Sequence, residues 1–110
     1  MSARNNDIRR LNVFDSKLKN EQTDLLFEAI LSLNSQEECY RLFEDLCTIH
    51  EIQALAQRLE VAKLLRERIT YHEIAERTGA STATISRVNR CLTYGADGYN
   101  IVLDRMEKEK

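Results

Sequence analysis

The sequence has no proline, three glycines and three cysteines. The first two scarcities exclude collagen-like, mucin-like and low-complexity chains. Three cysteines (Cys39, Cys47, Cys91) are an odd number without short pairing spacing, which argues against a disulfide framework. No apolar run approaches the roughly 18 residues that a spanning helix needs, so no membrane partner is expected. Met1 to Lys19 mixes acids and bases without an apolar stretch, unlike a secretory leader, and the expected compartment is the cytoplasm. Strand-like alternation is nearly missing, and there is no glycine-rich phosphate loop. With 110 residues, 43% hydrophobic and 31% charged, the expectation is one helix-rich globular domain over 20–110, preceded by a partly mobile arm over 1–19.

The formal net charge is −2, which does not advertise a nucleic-acid binder. Its distribution is more informative. Residues 66–94 carry five basic and three acidic side chains, the one stretch with a positive balance.

Helix signals then follow one another along the chain. Glu21 to Leu33 is apolar around almost its whole circumference, which predicts burial on several sides. Ser35 with Glu38 reads as a capping box for a second helix bearing Cys39, Leu42, Phe43 and Leu46. Thr48 with Glu51 opens a third helix, Ile49 to about Arg68. On it, Ile52, Leu55, Leu59 and Ala62 form one stripe, and Ala54, Val61 and Leu65 form another nearly opposite. Two apolar stripes on one helix predict a central element clamped between its own chain and a second subunit, hence a homodimer. Thr70 with Glu73 opens a fourth, short helix ended by Gly79. Ser81 caps a fifth, Thr82 to about Thr93, and Tyr99, Val102, Leu103 and Met106 lie on a sixth.

Residues 70–92, TYHEIAERTGASTATISRVNRCL, read as a helix-turn-helix. Ala75 is small where a second helix must cross, and Gly79 supplies the positive φ that reverses the chain. Ile74, Ile85 and Val88 form the wedge between the two helices. On the recognition helix, Ile85, Val88, Asn89 and Leu92 are expected inward, with Ala83, Ser86, Arg87, Arg90 and Tyr94 outward. Such a narrow polar-to-basic stripe suits insertion into the major groove of double-stranded DNA. Ser81, Thr82, Ala83 and Thr84 present hydroxyls and first-turn amides to phosphate. Arg87 and Arg90 are candidates for a guanine edge or for phosphate. Tyr71 and His72 from the preceding helix, with Arg66 and Arg68 nearby, complete the expected DNA footprint.

From Thr48 onward the runs TIHEIQALAQR, KLLRERITYHEI and GASTATISR resemble the tryptophan repressor superfamily, and within it the Trp repressor-related YerC/YecD family. The resemblance implies an all-α, six-helix, Trp repressor-like helix-turn-helix fold, built as an intertwined homodimer with two reading units about one DNA turn apart. It also implies an effector pocket. Arg87 matches one of two arginines that sandwich the indole of tryptophan, Arg58 is the candidate for the other, and Thr48 matches a threonine near the ligand. Val88 stands where the repressor has glycine, and Cys91 where it has a ligand-contacting serine. A valine fills part of the space that a glycine leaves, so tryptophan is not expected as corepressor and the small-molecule effector is unknown. Ala75 replaces a lysine that faces DNA in the repressor, so the operator does not transfer.

Other constellations are weak. Cys47 and His50 make half a metal site with no second pair at ligand spacing, so no metal is expected. Cys39 and Cys91 read as small core residues. No histidine has a nucleophile partner, and adjacent acids such as Glu37 and Glu38 diverge on a helix, so no catalytic residue is assigned and no enzyme is expected. The favoured function is a homodimeric, sequence-specific DNA-binding transcriptional regulator, a repressor because occlusion needs only binding. The alternative is a helical protein-interaction module.

Overall fold

The computed structural model describes residues 14–109. Six helices and no strand occur among them: α1 Glu21–Leu31, α2 Gln36–Leu46, α3 Ile49–Arg66, α4 Tyr71–Thr78, α5 Thr82–Tyr94 and α6 Gly98–Lys108. The first 13 positions of the expected mobile arm lie outside the described residues. Contacts divide the chain into two units after Leu42, within α2.

Local chemistry sets most of the boundaries. Asn20 caps α1 by accepting the Thr23 amide at 2.8 Å. The helix stops two residues short of the expected Leu33, where the Ser32 hydroxyl donates to the Ala29 carbonyl at 2.7 Å. Thr48 and Glu51 form the full reciprocal capping box of α3, with bonds of 2.8 and 3.1 Å. At α2 the reciprocity shifts by one residue: Ser35 accepts the Glu38 amide, while the Glu38 carboxylate accepts from Asn34. At α4 only half the box forms, because Thr70 accepts the Glu73 amide and the Glu73 carboxylate turns to Arg77. Gly79 ends α4 with φ 75°, as its position in the turn demands. α3 ends at Arg66, and two residues later Arg68 takes the left-handed φ of 64°.

No side chain of α1 or α2 is buried. The expected many-sided burial of α1 therefore does not occur within the single chain: Leu31 is 84% exposed, and Leu25 and Phe27 are exposed too. Cys39, expected in the core, is also exposed, while Cys47 and Cys91 are half-buried.

The core belongs to the second unit. Val61, Ala62 and Leu64 of α3, Ile74 of α4, Ala80 of the turn, Ile85 and Val88 of α5 and Leu103 of α6 are buried together. α3 contacts each of the three helices that follow it, and α5 also contacts α4 and α6. The buried residues of α3 all lie from Val61 onward; Ile49, Leu55 and Leu59, which precede them, stay exposed.

The capping box makes the start of α3 sensitive to acid. The amide of Thr48, and then its hydroxyl, hold the Glu51 carboxyl below its ordinary 4.5. A carboxyl whose pKa is lowered on folding stabilises the fold when ionised. That contribution is present at neutral pH and is lost as pH falls through the lowered value. Glu51→Gln should therefore melt below the wild type at pH 7, and thermal scans should show the gap closing as pH drops below about 4.

Candidate nucleic-acid interface

α4 and α5 are joined by Gly79, Ala80 and Ser81, and the geometry of this turn is held by several independent bonds. The Thr78 hydroxyl donates to the Ile74 carbonyl at 2.8 Å and accepts the Ala80 amide at 3.1 Å. Gln57 of α3 donates its side-chain amide to the Thr78 carbonyl at 3.1 Å. Ser81 caps α5 by accepting the Thr84 amide at 3.1 Å, and its hydroxyl donates to the Thr84 hydroxyl at the same distance. Ala80 of the turn is buried with the core residues, so the turn is held by packing as well as by hydrogen bonds.

α5 divides cleanly along its length. Ile85 and Val88 are buried, and Leu92 packs against the core from its half-buried position. Asn89, expected inward, is exposed. At 100° per residue it falls just beyond the edge of the stripe that Ile85, Val88 and Leu92 define, and the facing helices do not reach it. Ala83, Ser86, Arg87, Arg90 and Tyr94 are all exposed, Tyr94 at 83%. Among the described residues, no acid lies within ion-pair distance of Arg87 or Arg90. Thr82 and Ala83 are exposed beside them, while Thr84 is half-buried and tied into the cap.

The remaining residues of the expected footprint differ in kind. Tyr71 and His72 are exposed in the first turn of α4, and His72 Nε2 lies 2.7 Å from Glu76. Arg68 is exposed in the left-handed turn before α4. Arg66 is different: its side chain is only 23% exposed, and its guanidinium is bound by Asp104 and Asn100 of α6, with Glu107 at 3.9 Å. The Asp104 hydrogen bond raises the guanidinium's pKa further above its ordinary range. Arg66 is thus a strut between two helices.

The residues of the expected effector pocket have different surroundings. Arg58 lines an open groove of about 350 Å³ with Cys47, Glu51, Ala54 and Leu55. Thr48 is engaged in the α3 cap, Arg87 is on the outward face of α5, and Cys91 is half-buried. Val88, 1% exposed, is a core residue. No group of three or more potential metal ligands occurs among the described residues, and no described helix is long and apolar enough to cross a membrane.

Two positioning residues escaped the sequence reading, Gln57 and Asn100. Gln57 had a signal, since it precedes Val61 and Leu64 at i, i+4 and i+7 and is a polar group on an apolar stripe. Asn100 had only its place three residues after Asp97, whose carboxylate accepts from it at 3.0 Å.

The family model described as Trp repressor protein matches residues 21–107. The chain belongs to the Trp repressor family. The uncharacterised protein YerC of Bacillus subtilis (strain 168) is 64% identical over 92 residues, which are 84% of this chain and 88% of that protein. Among solved structures, a TrpR-like protein from Eubacterium eligens aligns with TM-score 0.81 and 60% identity, over 84% of this chain and 96% of that one. A Trp repressor candidate from Staphylococcus aureus aligns with TM-score 0.80 and 55% identity, over 83% of this chain and 91% of that one. The all-helical Trp repressor-like fold expected from the motifs is therefore the fold of this family member.

The left-handed turn at Arg68 has a measurable cost in this setting. A side chain with a Cβ held at positive φ costs roughly 1–2 kcal/mol, more when β-branched. Arg68→Val should lower stability by about 1 kcal/mol in chemical denaturation, whereas Arg68→Gly should match or exceed the wild type.

Proposed function

We propose that the protein is a homodimeric, sequence-specific DNA-binding transcriptional regulator of the cytoplasm, and a repressor. The observation that carries this reading is the two-sided character of α5. Its inner stripe is core, and its outer stripe holds two arginines with no acidic partner among the described residues, beside small, exposed Ala83 and Ser86. A narrow leading end and cations farther along fit a helix laid in the major groove, with Arg87 and Arg90 directed at base edges or phosphates. Thr82, Tyr71, His72 and Arg68 are exposed as well and are assigned to contacts with the DNA backbone. Arg66 is left out of this set, because its charge is already met by α6.

The second subunit is supported by exposed apolar side chains on α1 and on the N-terminal half of α3, including Leu25, Leu31, Ile49 and Leu55. A family whose members read paired half-sites supplies the reason for two copies: two recognition helices one helical turn apart match successive faces of the duplex.

Tryptophan is not proposed as effector. Support for this comes from Val88, which is buried where the resemblance gives the repressor a glycine and whose side chain takes up part of the space that a glycine leaves. Injected L-tryptophan should give no binding heat in calorimetry and no change in DNA affinity; saturable binding would overturn this part of the reading.

The DNA-binding reading is tested by gel shift against genomic fragments over a salt series. One fragment should be retained far better than competitor DNA, with affinity falling as salt rises. Arg87→Ala and Arg90→Ala should each weaken that complex by tenfold or more while circular dichroism and dimer mass stay unchanged. If no fragment is preferred, the fold serves protein assembly instead.

A further inference from the structure

α5 is held at two levels. The first is apolar, where Ile85 and Val88 are wedged into the core. The second is polar and lies at the other end of the helix. The last four carbonyls of any α-helix lack helical partners, and here one of them, Leu92 O, accepts the side-chain amide of Asn100 at 3.0 Å. Asn100 belongs to α6 and is itself held by α3, because Arg66 Nη1 donates to its backbone carbonyl at 3.3 Å and to its side-chain oxygen at 3.5 Å. Asp104 and Glu107 orient the arginine from the far side, and Asp97 takes the second amide hydrogen of Asn100. A continuous relay thus runs from the end of α3, through α6, to the last turn of α5.

We propose that Arg66 and Asn100 form a clasp that sets the direction of the recognition helix, so that both are positioning residues for DNA binding and neither touches DNA. The proposal rests on the reading that α5 enters the groove. The lever is geometric. α5 has 13 residues and is about 20 Å long, so a tilt of roughly 5° about the apolar wedge moves its distal end by about 1 Å. The backbone of Arg90, nearer the wedge, moves about half as far and its side chain turns by the same angle, which degrades its donor geometry against a base edge because hydrogen bonds weaken steeply with distance and angle. Contacts to phosphate made by flexible cations tolerate it better. The clasp should therefore govern discrimination between sequences more than affinity for DNA in general.

The test uses the full chain, a duplex selected by the wild-type protein from a random-core library, and sheared non-specific DNA. Arg66→Met, Arg66→Lys and Asn100→Ala are each expected to weaken binding to the selected duplex by about tenfold. Affinity for sheared DNA should stay within about twofold, and the log–log salt slope should not change. Hydrogen exchange in the absence of DNA should quicken at the amides of Thr93, Tyr94 and Gly95. If Arg66 contacts phosphate instead, Arg66→Lys binds like the wild type, whereas Arg66→Met loses affinity for both DNAs and flattens the slope by about 0.9. That pattern overturns the proposal, as does unchanged discrimination in all three variants. Should Arg66→Met not fold, Asn100→Ala decides alone, since it removes the link to Leu92 and leaves the arginine–carboxylate bridge in place. A wild-type protein that selects no duplex sinks the regulator reading and the clasp with it, and that failure is visible before any variant is made.

Discussion

The burial of Ile85 and Val88 is the constraint from which the outward surface of α5 follows. A helix has one rotational freedom about its axis, and packing a stripe of 3.6-residue period against a core removes it. Once those two side chains lie with Val61 and Ile74 in a common core, Ala83, Ser86, Arg87 and Arg90 have no choice of direction. The rest of the second unit serves this placement. Gly79 reverses the chain at the correct point, Ser81 begins the helix, and Gln57 ties the turn back to α3. Gly95 closes the far end at a spot where a Cβ would stand 2.5 Å from the Cys91 carbonyl oxygen.

What could be read from the sequence was what local chemistry decides. The starts of α3, α4 and α5 were legible in Thr48, Thr70 and Ser81, because a hydroxyl before a helix has a short list of partners, all within three residues. The αL turn at Gly79 and the wedge of Ile74, Ile85 and Val88 were legible for the same reason. The role of Arg66 was not. Its partners Asn100 and Asp104 are 34 and 38 residues away, and nothing in the spacing of charges distinguishes an arginine awaiting phosphate from one bound to a distant carboxylate. Asn89 and Cys39 failed differently. Each lies near an apolar stripe, but no neighbouring helix reaches over it, and reach depends on tertiary geometry that periodicity does not contain.

α3 does two jobs along its 18 residues. Its C-terminal half is the floor on which α4, α5 and α6 are laid, with Val61, Ala62 and Leu64 enclosed. The part before Val61 displays Ile49, Leu55 and Leu59 to the outside. A rigid helix shared between a recognition scaffold and an apolar face gives the proposed dimer a direct means of spacing its two reading heads. The separation is then set by covalent geometry at 1.5 Å per residue, with no flexible linker between.

A chain of net charge −2 does not oppose this function, because charge acts locally in salt. At physiological ionic strength the Debye length is about 8 Å, so a phosphate at the face of α5 responds to Arg87 and Arg90 far more than to the total. Acids on and just before α4 are also already matched: Glu73 by Arg77 and Glu67 by Lys63. Pairing leaves those surfaces close to neutral and lets the two unmatched arginines set the local sign. The same arrangement carries a consequence for mechanism. On the proposed DNA-binding reading, few cations would release counterions, so non-specific attraction would be small and most of the affinity would come from groove fit and base contacts. A protein of this kind depends on the direction of α5 more heavily than a strongly basic one does, which is why an internal brace on that helix matters.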